Sequence, residues 1–175
     1  MADNISLIGP MGAGKSSIGK RLAQQLKQPF FDSDRLIEEK TGVAISTIFE
    51  LEGEKGFRHR ESKALSAILK DNENAIIATG GGIVLVEDNQ RQLTEHSIVI
   101  YLQASVEAQI NRTKHDKKRP LLQTEDRYST LQKLAMARNP LYESLANITI
   151  DTSQQSIAKS LEQIIKELSK IGRIE

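Results

Sequence analysis

The amino-acid sequence predicts an α/β fold with a central five-stranded parallel sheet flanked by helices. Short apolar runs alternate with longer amphipathic segments along the 175 residues, as in a chain of successive strands and helices. No repeat, low-complexity linker or shift in composition interrupts the alternation. A chain of 19.5 kDa is also large enough to bury a core without disulfides or a structural metal. We therefore expect one domain spanning residues 1–175.

The predicted strands are short apolar runs separated by helical patterns. Right-handed crossovers return each strand in the same direction, so the segments that follow the strands gather at one edge of the sheet. Open α/β sheets bind their ligands at that edge. The five runs are Ile5 to Ile8, Phe30 to Asp32, Ala75 to Thr79, Ser97 to Leu102 and Ile148 to Asp151.

The first strand leads into Gly9 to Ser16, which read Gly-Pro-Met-Gly-Ala-Gly-Lys-Ser, and a helical pattern then extends to Lys27. This order of strand, glycine-rich loop and helix predicts a P-loop that binds a nucleoside triphosphate through inward-facing backbone N–H groups. Lys15 would reach the outer phosphates, and the Ser16 hydroxyl would hold Mg²⁺. A flexible turn with a solvated lysine is the alternative. The predicted nucleotide-binding residues here are Gly12, Ala13, Gly14, Lys15, Ser16 and Ser17.

Composition narrows the class of protein. The absence of cysteine excludes a disulfide scaffold and thiolate chemistry, and it fits a reducing compartment, so we expect a cytoplasmic protein. The N-terminus has no signal-peptide pattern, and the longest apolar run is only Ile98 to Leu102, so neither export nor a membrane partner is expected. A net charge of +1 and 4% aromatic residues argue against nucleic-acid binding. A monomer is the default expectation.

The second strand ends in Asp32-Ser33-Asp34, whose two carboxylates project to the same side of an extended chain. Beside a P-loop, one carboxylate can orient Mg²⁺, and another can orient or deprotonate an attacking hydroxyl. The alternative is a turn in which the second aspartate caps a helix from Arg35 to Thr41.

The third strand runs into Gly80, Gly81 and Gly82 at the same predicted edge. Three residues without side chains indicate that something approaches the backbone closely, and the position favours a ligand. A strained turn that requires positive φ is the alternative.

Two arginines have local patterns that allow two interpretations. Arg58 lies in a helix expected to begin near Glu52, and it could be a surface ion-pair partner of Glu54 or an anion-binding residue. Arg138 closes a helical pattern just before Pro140, where a cation favours the helix dipole. From local patterns alone, both arginines remain ambiguous between a structural and a ligand-binding role.

The segment Asn111 to Pro120 carries five basic residues and one acid. Most charge runs are solvated loops. In a phosphoryl-transfer enzyme, however, such a segment can be a mobile lid that excludes water and brings an arginine to the transferred group. The lid is predicted at residues 112–127.

In combination these motifs resemble the shikimate kinase family over nearly the whole chain. The resemblance implies a three-layer P-loop kinase fold with a mobile lid and a substrate-binding helical region at residues 33–62. The matching segments are Gly9 to Ser16, Asp32-Ser33-Asp34, Gly56-Phe57-Arg58, Arg60-Glu61, Thr79 to Gly82, Arg119 to Leu122 and Arg138 to Tyr142.

The resemblance also implies a role for individual residues. Arg119 would come from the lid onto ATP, Ser16 with Asp32 would place Mg²⁺, Arg112 would flank the adenine, and Gln155 would lie in the loop beside it. Ser17 stands where relatives usually have threonine, and it keeps the hydroxyl. The residues that would bind shikimate are Asp34, Arg58, Gly80, Gly81, Gly82 and Arg138.

The implied activity is transfer of the γ-phosphoryl group from MgATP to the 3-hydroxyl of shikimate. Lys15, Arg119 and Mg²⁺ would stabilise negative charge, and Asp34 would orient the hydroxyl or accept its proton. A kinase for gluconate or a nucleoside monophosphate is one alternative. A nucleotide-dependent regulatory switch is the other, and it would hydrolyse the nucleotide slowly without an acceptor.

Overall fold

The fold is built on a single five-stranded sheet in which all neighbouring strands are parallel, in the order β2-β3-β1-β4-β5. The structure is a computed structural model that describes residues 4–115, 122 and 126–174. The predicted fold class is confirmed, and the predicted strand bounds differ from the observed ones by no more than one residue at either end. The strands are β1 (Asn4–Ile8), β2 (Phe30–Asp32), β3 (Ile76–Ala78), β4 (Ser97–Gln103) and β5 (Ile148–Asp151).

The helices cover both faces of this sheet and make three layers. Within the described residues no helix combines the length and the apolar character needed to cross a membrane. The helices are α1 (Lys15–Leu26), α2 (Ser33–Thr41), α3 (Ile45–Asp71), α4 (Glu87–His96), α5 (Val106–Thr113), α6 (Arg127–Leu145) and α7 (Ile157–Lys170), with a 3-10 turn at Ile83–Leu85.

Alternation along the strands divides the core between the two faces. On one face, Leu7 of β1 packs in a cluster with Leu22 of α1 and Leu168 of α7. On the other face, Ile8 packs in a cluster with Leu65 of α3, and residues of α4 and α6 complete it. The central strand β1 is therefore buried on both sides, as expected for a parallel sheet covered by helices.

The register brings three strand ends together. Leu7 of β1 is opposite Ala78 of β3, and Ala78 is opposite Asp32 of β2. The loops that follow these strands consequently leave the sheet side by side. They are the glycine-rich loop after β1, the start of α2 after β2, and the three glycines after β3.

Helix α3 is interrupted at Gly53, where φ is 69° and ψ is −179°. Its second part therefore begins next to Glu52, as the sequence predicts. Apolar residues at helical spacing in this part, namely Phe57, Ala64, Leu65 and Ile68, form a buried stripe. Burial of that stripe fixes which side chains of α3 point toward the sheet.

Helix α6 does not end before Pro140. It continues to Leu145 with the proline inside it. The residue that explains the continuation is Tyr142, which is completely buried and whose ring centroid lies 5.1 Å from that of Tyr101. Burial of a large aromatic side chain offsets the hydrogen bond that the proline removes. Arg138 thus lies within the helix, and the interpretation as a C-terminal dipole partner is wrong.

Candidate active site

A cleft of about 850 Å³ opens at the carboxyl edge of β1, β2 and β3. It brings together every predicted site residue that the structure describes, whereas Arg119 lies outside the described residues. Residues 112 and 113 of the predicted lid belong to α5. The predicted residues that line the cleft are Gly12, Ala13, Gly14, Lys15, Ser16, Ser17, Asp32, Asp34, Arg58, Gly80, Gly81, Gly82, Arg112, Arg138 and Gln155.

The loop after β1 presents an uncapped helix start to the cleft. Gly14 is the N-cap of α1, with φ at 91°, and it supplies no side-chain acceptor for the first amide groups of the helix. Lys15 follows with only 9% of its surface exposed. Its Nζ donates to the carbonyl oxygens of Gly9 and Pro10 at 2.7 and 2.8 Å. Backbone amides and an ammonium group therefore converge at one place, which suits a polyanion.

Ser16 and Asp32 meet across the cleft floor. The Ser16 hydroxyl donates to Asp32 Oδ2 over 2.5 Å. The other oxygen, Oδ1, accepts from the backbone N–H groups of Asp34 and Arg35 at 3.1 and 3.2 Å. The aspartate that caps α2 is therefore the first of the pair, not the second as the turn interpretation proposed, and the helix begins at Ser33.

Asp34 lies in the first turn of α2 and faces the glycines after β3. A Cβ atom added to Gly80 would lie 2.9 Å from Asp34 Oδ1 and 2.5 Å from Oε1 of Glu61. Gly80, Gly81 and Gly82 do not have positive φ, so the strained-turn interpretation is wrong. What approaches the backbone so closely is a pair of carboxylates from α2 and α3.

Arg58 points into the cleft from α3 instead of lying on the surface. Its guanidinium donates to Glu61 Oε2 at 2.8 Å and to Glu54 Oε1 at 3.2 Å. The predicted pair with Glu54 is thus present, but only 13% of the Arg58 side chain is exposed. A Cβ atom on Gly82 would lie 2.3 Å from Arg58 Nη1, so the glycine leaves the space that the guanidinium occupies.

Glu61 is a residue of the site to which the sequence assigned no role. Its side chain is completely buried, and its Oε1 has no hydrogen-bond partner among the described residues. Burial raises the pKa of this carboxyl, and Arg58 opposes the rise. One signal was available: Glu61 lies four residues after Phe57 and four before Leu65, which places a carboxylate on the buried stripe of α3.

Arg138 reaches the same cleft from α6. The residue is buried, with 6% of its surface exposed. Within the described ranges it forms no ion pair with a carboxylate. The Arg138 charge also opposes the rise that burial causes in the pKa of the Glu61 carboxyl, so the two charges interact without a direct ion pair. The guanidinium therefore keeps hydrogen-bond donors at the cleft that suit an anionic ligand.

Arg112 joins the glycine-rich loop to the segment after β5. Its guanidinium donates to the carbonyl oxygen of Gly12 at 2.9 Å, to Thr152 Oγ1 at 3.0 Å, and also to the Thr152 carbonyl oxygen. Gln155, in the same segment, donates to the Asp151 carbonyl oxygen at 2.6 Å. Thr152, to which the sequence assigned no role, is therefore the residue that connects Arg112 to this end of the cleft.

A family model described as shikimate kinase matches residues 11–169. The chain belongs to the shikimate kinase family. A shikimate kinase from Actinobacillus succinogenes is 52% identical over 163 residues, which are 93% of each chain. One from Vibrio cholerae is 49% identical over 167 residues, which are 95% of each chain.

Among solved structures, the chain is similar to shikimate kinase from Acinetobacter baumannii in complex with shikimate. The TM-score is 0.93 at 43% identity, and the match covers 98% of this chain and 95% of that chain. The family resemblance and the fold class expected from the sequence are therefore confirmed. Family membership makes the chain a kinase that uses a nucleotide as phosphoryl donor.

Proposed function

We propose that this chain phosphorylates shikimate at its 3-hydroxyl with ATP, giving shikimate 3-phosphate and ADP. The observation that carries the proposal is the buried guanidinium of Arg138, which has no carboxylate partner among the described residues, on the cleft that the P-loop lines. A small carboxylic acid with hydroxyl groups would accept hydrogen bonds from such a guanidinium. The shikimate bound to the Acinetobacter baumannii relative is such a molecule.

For the acceptor, we assign the carboxylate of shikimate to Arg138 and Arg58. Charge-assisted, bidentate bonds from guanidinium groups suit a carboxylate. The Arg58 side chain is already oriented by its hydrogen bond to Glu61, so it loses less conformational freedom when shikimate binds. Asp34 and the backbone of Gly80, Gly81 and Gly82 would then contact the hydroxyl groups at the other end.

For the donor, we assign the phosphates of ATP to the loop from Gly12 to Ser17. The Lys15 ammonium contacts carbonyl oxygens of the same loop, and triphosphate oxygens would be stronger acceptors for it. Arg112 and Gln155 are proposed to border the adenosine. Arg119 is proposed to close onto the phosphates from a lid between α5, which ends at Thr113, and α6, which begins at Arg127.

We also propose that Mg²⁺ accompanies the nucleotide. The Ser16 hydroxyl and Asp32 Oδ2 form a pair of oxygen atoms 2.5 Å apart beside the phosphate loop, and oxygen atoms are what this ion prefers as ligands. When bound there, Mg²⁺ would neutralise negative charge on the phosphates.

In the proposed mechanism, Asp34 aims the 3-hydroxyl at the γ-phosphorus and accepts its proton as the new bond forms. The transition state of phosphoryl transfer is loose in most accounts, so positioning matters as much as proton removal. Lys15 stabilises the charge on the transferred group. A cleft enclosed by the lid would exclude water that competes with shikimate. We further propose a cytoplasmic monomer in which residues 1–175 form one domain.

A coupled assay of ADP release tests the proposal, with shikimate, gluconate and a nucleoside monophosphate offered separately and with no acceptor as the background. Release that depends on shikimate, with shikimate 3-phosphate as the product, is expected. Faster release with gluconate or a nucleoside monophosphate would favour a different small-molecule kinase. Equal release with and without any acceptor would favour a nucleotide-dependent switch.

A further inference from the structure

Tyr142 places the only polar atom of its side chain against the acceptor end of the cleft. The residue lies on α6 one turn after Arg138 and is completely buried. Its hydroxyl donates to the carbonyl oxygen of Gly81. A buried phenol with a defined acceptor fixes the backbone to which it is bonded.

Arg138 lies beside the same phenol. A Cβ atom added to Gly81 would lie 3.5 Å from Arg138 Nη1 and 3.6 Å from the Tyr142 hydroxyl oxygen, so the three groups converge at one point. Burial raises the pKa of Tyr142 to about 12, and a hydrogen bond with the Arg138 side chain counteracts part of that rise. The phenol is therefore neutral and able to donate throughout the physiological range.

The ring of Tyr142 is held by its neighbour. The ring of Tyr101 lies at 5.1 Å between centroids and 32° between planes, a tilted arrangement in which each ring packs against the other. Tyr101 is on β4, belongs to the same core cluster as Tyr142, and does not line the cleft. The position of the Tyr142 oxygen is thus set by the sheet.

We infer that Tyr142 is a positioning residue for the acceptor: its hydroxyl holds the Gly81 carbonyl and the Arg138 guanidinium in a fixed relative position. This inference rests on the proposed function, in which both groups face shikimate. A guanidinium binds a carboxylate through two parallel bonds only when its plane is correctly oriented. Loss of the hydroxyl should therefore weaken shikimate binding while ATP binding is unchanged.

The experiment compares Tyr142→Phe with Tyr101→Phe, which removes a hydroxyl from the other ring of the same pair. Steady-state kinetics should show KM for shikimate raised by about fivefold in Tyr142→Phe, as expected for a weakened charged hydrogen bond, with KM for ATP changed by less than about twofold. Tyr101→Phe should leave both KM values unchanged. In a double-mutant cycle, Tyr142→Phe should have little further effect on KM for shikimate once Arg138→Lys is present.

Each outcome is decisive. Unchanged KM for shikimate in Tyr142→Phe overturns the inference and leaves the proposed function standing. Three other results would also overturn the inference, because they would assign the hydroxyl to general stability. They are equal effects of Tyr142→Phe on the two KM values, full additivity of Tyr142→Phe with Arg138→Lys, and failure of the Tyr142→Phe protein alone to fold. A wild-type protein that does not phosphorylate shikimate defeats the proposed function itself, and the inference with it.

Discussion

Arg58 donates from Nη1 to Glu61 Oε2 over 2.8 Å, and the carboxylate that accepts this bond is completely buried. The two residues are three positions apart on α3, so a single helix supplies both members of the pair. The glycines after β3 cover them, because side chains at Gly80 and Gly82 would occupy the positions of Glu61 Oε1 and of the Arg58 guanidinium. The orientation of a predicted substrate-binding arginine therefore depends on a buried acid.

Stability should depend on pH through Glu61. Burial raises its pKa above 4.5, its ordinary value. The pKa of such a carboxyl is higher in the folded protein than in the unfolded protein. Its contribution to stability is therefore complete at pH values below the pKa in the unfolded protein, and it is lost as the pH rises through the pKa in the folded protein. The free energy of unfolding of the wild type relative to Glu61→Gln should therefore decrease as pH increases from about 4.5. Urea unfolding of both proteins across this pH range measures the difference in free energy of unfolding. A difference that stays constant or increases with pH would contradict a raised pKa for Glu61.

Gly82→Ala should disturb binding of the acceptor more than folding. The added methyl group would meet the end of the Arg58 side chain, which can move, and not backbone. We expect KM for shikimate to rise by about tenfold or more as the guanidinium is displaced, with KM for ATP little changed. The melting temperature should fall by a few degrees, because the buried Glu61 carboxylate loses contact with Arg58. Met136→Ala, on an exposed part of α6, is the control. A normal KM for shikimate would show that Arg58 does not bind the acceptor.

Two substitutions at Asp32 separate its two contacts. Asparagine caps helices as well as aspartate does, so Asp32→Asn should keep α2 stable while the Mg²⁺ concentration for half-maximal activity rises by about tenfold. Asp32→Ala should have the same effect on Mg²⁺ and also lose about 0.5–2 kcal/mol of stability with the cap. Magnesium titration and urea unfolding measure the two effects. An unaltered magnesium requirement in both proteins would exclude Asp32 from the metal site.

Asp34→Asn should retain ATP binding and lower turnover by about a hundredfold or more, because the amide can hold the hydroxyl but cannot accept its proton. Calorimetry with ATP and the ADP-release assay test the two parts. Glu39→Gln, farther along the exposed surface of α2, is the matched control. Near-normal turnover in Asp34→Asn would remove this carboxylate from the mechanism.

Lys15→Met should abolish phosphoryl transfer and keep the fold. The Lys15 side chain contacts carbonyl oxygens of its own loop, and methionine is an unbranched side chain only one atom shorter that carries no charge. Lys20→Met, on the exposed side of α1, is the control for loss of a lysine. Circular dichroism checks the fold, and an active Lys15→Met protein with a native spectrum would refute the assignment of the P-loop.

The sequence predicts the sheet well because a buried parallel strand must be a short apolar run, and the five runs are distinct. The sequence-based prediction fails at Pro140, where local propensity ends the helix. In the structure, burial of the Tyr142 ring stabilises the continuation of α6 beyond the proline. The prediction also misses Glu61. The burial of that carboxylate depends on Gly80, which is nineteen residues away in the sequence and reaches it only through the sheet. Local patterns locate the charged groups, and long-range packing decides which of them point inward.

The sheet order has a consequence for changing what this enzyme phosphorylates. The phosphate loop follows β1 and the acceptor glycines follow β3, and these strands are hydrogen-bonded neighbours. Adjacent backbones in a sheet are about 4.8 Å apart whatever their side chains. The spacing between the phosphate loop and the acceptor glycines is thereby set by the sheet, so redesign for another alcohol can be confined to α2, α3 and α6 while the triphosphate site is left unchanged.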